Sequence, residues 1–123
     1  MRNLESLRTR YLKDPPSVRL GGLAANLSRI SSFSEDHDLQ QAVNDILLES
    51  KWFIEWTAPE IEIEKAGKLV QLQVQLAAWE KHSERNWNDD QWRNKLSAEA
   101  KEWSFAVLAM SGLLTPEQLS KFQ

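Results

Sequence analysis

An all-α fold is expected, an up-down four-helix bundle with short additional helices at the N- and C-terminus. Three features of the sequence predict it. Apolar residues recur at three- and four-residue spacing along most of the chain, which is the period of one helix face. Proline and glycine stand where helices would begin or end. No linker, repeat or low-complexity tract divides residues 1–123, so they read as a single helical domain.

Leu4, Leu7, Tyr11 and Leu12 predict a short helix over residues 3–13. Asp14 is the expected cap of the next helix, with Pro15 and Pro16 in the first turn, where a missing N–H costs little. Leu20, Leu23, Ala24, Leu27 and Ile30 form its apolar stripe. Gly21, Ala25, Ser28 and Ser32 lie on another side and would permit a close helix contact. Ser34 is the expected N-cap of the third helix, with Glu35, Asp36 and Asp38 at the positive end of its dipole. Leu39, Val43, Ile46, Leu47, Phe53 and Ile54 carry that helix to about Trp56.

Thr57 and Glu60 stand in the T-x-x-E relation of a capping box, which places a new helix start at Ala58. The stretch that follows has two readings. Ile61, Ile63, Val70, Leu72, Val74 and Leu76 alternate with Glu and Gln, as in a β-hairpin over residues 60–77. At about 100° per residue, Ile61, Leu69, Leu72, Leu76 and Trp79 share one face instead, and Ile63, Val70, Val74 and Ala77 share the opposite one. The helical reading is preferred, because the residues are good helix formers and an isolated two-stranded hairpin is marginal. It implies a helix with two apolar faces. Asn88 and Gln91 then open a helix through Trp92, Leu96, Ala100, Trp103, Val107, Met110 and Leu114, stopped at Gly112. Thr115, Pro116 and Gln118 start a last short helix that packs through Leu119 and Phe122.

The net charge of −3 is unevenly spread. Residues 1–30 carry six bases and two acids, residues 31–64 nine acids and Lys51 alone. The two segments are expected to complement each other across the fold. A nucleic-acid patch is not expected, since the chain is acidic overall and the basic run lacks interleaved aromatics beyond Tyr11. The absence of cysteine removes disulfides, thiolate chemistry and cysteine metal sites, and suits a cytoplasmic location. The N-terminal stretch "MRNLESLRTRYLKDPP" lacks the apolar core of a secretion signal. The most apolar segment, Phe105 to Leu114, falls short of the ~20 residues that span a bilayer, so no membrane role is expected.

Little in the sequence points to catalysis. His82 and His37 lack the Glu-x-x-His or His-x-x-x-His spacing that places two metal ligands on one helix face. "SERN" after His82 does not suit a phosphotransfer histidine. Glu49, Glu55, Glu60, Glu62 and Glu64 read as a solvated acidic face, and no phosphate loop or nucleophile elbow is present. No catalytic residue, cofactor or metal is expected.

The six tryptophans are the unusual feature. Trp79, Trp92 and Trp103 fall on core stripes, and Trp87 sits at a helix bend. Trp52 and Trp56, with Leu48, form a second apolar stripe on the third helix, as Val70 and Val74 do on the fourth. Either the N-terminal helix and the short C-terminal one cover these faces within the chain, or Leu48, Trp52, Trp56, Val70 and Val74 are the candidate interaction residues, since aromatics concentrate at interface hot spots. The expected function is a non-catalytic protein-interaction module that self-associates as a homodimer or binds another protein. The alternative is a ligand-binding or enzymatic bundle with a pocket between the Trp-bearing helices, where Glu55 and His82 would converge.

The segments "QLAAWEKHSERNW" (Gln75 to Trp87) and "EWSFAVLAMSGLL" (Glu102 to Leu114) resemble small uncharacterised cyanobacterial helical proteins over the last half of the chain. The likeness rests on tryptophan spacing and the "SGLL" stop. It implies a helical, cytoplasmic protein and no particular activity.

Overall fold

A computed structural model of the chain describes residues 3–121. Every regular element among them is helical: α1 (Leu4–Leu12), α2 (Pro16–Phe33), α3 (Gln40–Thr57), α4 (Ile63–Asn86), α5 (Asp90–Met110) and α6 (Pro116–Ser120). Short 3-10 turns occupy His37–Leu39 and Ala58–Glu60. Residues 60–77 contain no strand, so the helical reading of the Ile/Val/Leu–Glu/Gln alternation holds. The expected packing of Phe122 lies outside the described residues.

Several helix starts differ from their expected positions, each for a local reason. Asp14 does not cap α2; Pro15 precedes it in extended conformation, with Pro16 in the first turn. Ser34 ends α2 rather than starting α3, because its hydroxyl donates back to the Ile30 carbonyl at 2.5 Å. Asp36 caps the 3-10 turn instead, accepting from the Asp38 N–H, and α3 begins at Gln40. Thr57 is the last residue of α3, and α4 starts at Ile63 rather than Ala58. Asp89, not Asn88, caps α5, accepting from the N–H groups of Gln91 and Trp92. The Thr115–Gln118 capping box forms as expected. Gly112, just past the end of α5, takes a φ of 79°, the left-handed conformation that ends many helices and that glycine adopts without a Cβ penalty.

The long helices share one apolar core. Leu23, Leu27, Ile30, Val43, Leu47, Ile54, Leu69, Leu72, Leu76, Leu96 and Val107 are fully or almost fully buried within it. Each such side chain contributes on the order of 2–3 kcal/mol by leaving water. Three antiparallel helix pairs surround it. In α2 and α5 the small residues Ser31, Ser97 and Ser104 face the partner helix and join backbones directly: Ser31 donates to the Ser97 carbonyl, Ser97 to that of Ser31, and Ser104 to that of Ala24, at 2.7, 2.8 and 2.8 Å. In α2 and α3, Asn26 donates to Ser50 at 3.3 Å. In α3 and α4, Gln40 donates to the Ser83 carbonyl and Lys51 pairs with Glu80 at 2.8 Å. α4 and α5 meet more sparsely.

Candidate interaction surface

The geometry of α4 decides which of its residues face outward. Leu69, Leu72, Leu76, Trp79 and Ser83 step by three and four residues along one side, and all are buried. Ile63, Gly67, Val70, Val74, Ala77 and Lys81 step by four and three along the other, and all are exposed. Ile63 is 88% exposed, Val70 52% and Val74 68%. The α3 flank of α4 is marked by Glu80, bonded to Lys51, and by Gln73, which donates to Glu55 at 3.3 Å. The outer stripe lies away from both flank and core.

On α3, Leu48 is 46% exposed and Trp52 is half-buried against the core. Trp56 differs from the expectation: it is only 9% exposed and does not belong to an open face. α1 covers it. Tyr11 stacks on Phe53 with ring centroids 3.9 Å apart and lies 5.8 Å from the Trp56 ring. The Trp52 and Trp56 rings are stacked at 5.8 Å, so Trp56 bridges the buried aromatic group and the half-open Trp52. The second stripe of α3 is thus closed at its C-terminal end and open at Leu48.

Tyr11 is fixed by the residues that sequence reasoning assigned to a capping box. Its hydroxyl donates to the Arg19 carbonyl at 2.9 Å and lies 3.1 Å from Thr57 Oγ1. Glu60 instead receives the buried Arg19 guanidinium at 2.6 Å, and Arg19 also donates to the Asp14 carbonyl. This ion pair links the basic first segment to the acidic second one.

Burial pushes the Tyr11 phenol up to about 12, against the smaller opposing effects of the Thr57 hydrogen bond and the Arg19 charge. The folded protein therefore holds this proton after the unfolded chain, near its ordinary 10, has released it. Stability from this group is complete below pH 10 and lost as pH rises through 12, about 2–3 kcal/mol in all. Tyr11 is the single tyrosine in the chain, so a phenolate absorbance titration reads it alone. The expected midpoint is near 12; one near 10 would contradict this burial.

The end of the molecule near the α4–α5 turn carries a second cluster. The Trp87 indole N–H donates to the His37 carbonyl at 2.7 Å, and the Arg93 guanidinium lies over the Trp87 ring at 5.7 Å. Arg93 also donates to the Ser34 carbonyl and pairs with Asp90. His37 Nε2 lies 2.6 Å from Asn88 Oδ1. Arg93 was not legible as buried, since a cation three residues from its own acid resembles a surface helix pair.

His82 is exposed on α4, and Glu55 bonds Gln73, nine residues and roughly 13 Å of helix rise away from it, so the two do not converge. Among the described residues no group of three or more His, Asp or Glu is placed to hold a metal ion. A groove of about 430 Å³ lies between α2 and α5, lined by Ser28, Ser31, Ser97, Lys101 and Ser104 among others. The hydroxyls of Ser31, Ser97 and Ser104 already bond the facing backbone. A second groove, about 400 Å³, runs beside Lys65, Lys68 and Met110 between α4 and α5. Tryptophan lines neither groove. Among the described residues no helix is long and apolar enough to cross a membrane. Compared with models of known protein families, with curated proteins and with solved structures, the chain matches none.

Proposed function

We propose that the four long helices form an up-down four-helix bundle, and that the outward face of α3 and α4 makes the chain a non-catalytic protein-interaction module whose partner is a second copy of itself. One observation carries this reading: α4 shows two apolar stripes of helical period, one buried and one exposed. Single exposed apolar residues are ordinary on a protein surface, whereas a row of them on one helix face suits a contact. Leu48 and the open edge of Trp52 add to the apolar area that α3 and α4 offer.

The surface is modest. A 24-residue helix is about 36 Å long, and one stripe of it presents less than the ~800 Å² per partner of a standard interface. Association in the micromolar range is therefore expected. Sedimentation velocity across about 1–500 µM tests it, a range chosen to bracket that affinity. The weight-average mass should climb from 14.2 kDa toward twice that value. A mass that stays at 14.2 kDa throughout would overturn the proposal.

A further inference from the structure

We infer that α1 is a lid on the aromatic surface of α3: it swings away at Lys13 as one unit while α2 to α5 stay folded, and so bares the rings of Phe53 and Trp56. The two sides of this contact are held very differently. Of the nine residues of α1 only Leu7 and Tyr11 are buried, whereas Leu4, Glu5, Ser6, Arg8, Thr9 and Arg10 are exposed. A helix this short does not persist alone in water, so docking through those two side chains maintains it. The floor does not depend on the lid in the same way. Phe53 and Trp56 stand on α3, which carries Val43, Leu47 and Ile54 into the common core and bonds to α2 through Ser50 and to α4 through Lys51.

Latch and hinge are separate. Tyr11 is the latch: its ring stacks on Phe53, and its hydroxyl reaches the Arg19 carbonyl of α2 and the Thr57 hydroxyl of α3. Arg19 marks the hinge. From within α2 its guanidinium donates to the Asp14 carbonyl at 2.8 Å and to the Leu12 carbonyl at 3.4 Å, and its ion pair with Glu60 ties it to the α3–α4 link. The short bond lies on the bundle side of Lys13 and the long one on the lid side. Lys13 itself is exposed. Pro15 disfavours helical backbone at Asp14, so a break between α1 and α2 is built into the sequence.

Opening frees Tyr11 and breaks the Leu12 bond, and it leaves Arg19, Asp14 and Glu60 in place. The Trp52 ring, half-buried and stacked on Trp56 at 5.8 Å, already borders the surface that is uncovered. One nine-residue helix thereby controls how much aromatic surface the molecule presents.

Amide hydrogen exchange of the intact chain tests the lid, because a local opening exchanges without global unfolding. The amides of Leu7 to Leu12 should share one protection factor, at least about 100-fold below that of Leu27, Leu47 and Leu72. Ile30 is fully buried and about 16 Å of helix rise from Arg19. Ile30→Val weakens the bundle equally with the lid open or closed. Protection of Leu27, Leu47 and Leu72 should therefore fall about fivefold, and that of α1 should not change. Tyr11→Phe removes only the latch hydroxyl and should lower α1 protection by about fivefold. Protection of α1 that equals the core's, or that falls with it in Ile30→Val, would mean that α1 opens only when the bundle unfolds, and the lid would be wrong. A steady decline in protection from Leu12 to Leu7 would indicate fraying from the end instead of a swing at Lys13, and would overturn it equally. Unchanged α1 protection in Tyr11→Phe would remove the latch.

Discussion

Val70→Glu combined with Val74→Glu is expected to abolish self-association while leaving the fold intact. Both positions are more than half exposed, and glutamate is the better helix former, so monomer stability should change by no more than about 0.5 kcal/mol. The dimer is affected far more. In a two-fold contact each substitution acts twice, so four carboxylates enter a patch that has no base near its centre. Dissociation should rise by at least about 100-fold, equivalent to ~2.7 kcal/mol. Light scattering beside a urea melt separates the two effects. A variant that still dimerises, or one that unfolds, would contradict the placement of these residues. The same substitution at Trp52 and Trp56 is a poorer probe, because Trp56 is buried beneath Tyr11 and a charge there would break the core.

Trp87→Ala is expected to destabilise the protein by about 3–5 kcal/mol, a large share of the total for a domain of this size. The ring is almost fully buried, its N–H satisfies the His37 carbonyl, and Arg93 rests on its face. Removing it leaves a cavity at the point where the α2–α3 link meets the α4–α5 turn. Trp87→Phe retains most of the volume but leaves the His37 carbonyl unpaired, so a loss of roughly 1–2 kcal/mol is expected. Urea denaturation measures both. A loss below about 1 kcal/mol for Trp87→Ala would mean that this end is not closed by the indole.

The fold was legible where a long periodic pattern outweighed local ambiguity. Within residues 60–77 Ile61, Ile63, Val70, Leu72, Val74 and Leu76 alternate with polar residues like strands, yet the leucines and valines also sort into two opposite helical faces, and α4 adopts that arrangement. The helix boundaries were less legible, because capping residues have close competitors. Ser34 stands two residues before Asp36, and Asn88 immediately before Asp89; in both cases the aspartate takes the cap. Thr57 and Glu60 fit a capping box but serve Tyr11 and Arg19, 46 and 41 residues away in sequence. Such long-range partners leave no local trace.

The candidate surface was legible in the same uneven way. The stripes left open whether the terminal helices cover them; Val70, Val74 and Leu48 are exposed, while α1 covers Trp56. The burial of Trp56 depends on where a nine-residue helix docks, which periodicity within α3 does not report.

The central claim, that the outer stripe of α4 is the contact between two copies, is tested most directly by amide NMR shifts on dilution. On going from about 500 to 10 µM, a range spanning the micromolar affinity expected for a contact of this size, the largest changes should fall on residues 62–85 at their outward positions. Gly67, Val70, Val74 and Ala77 should lead, with smaller changes at Leu48 and Trp52. Shifts independent of concentration, or clustered instead along the serine-lined groove of α2 and α5, would contradict it.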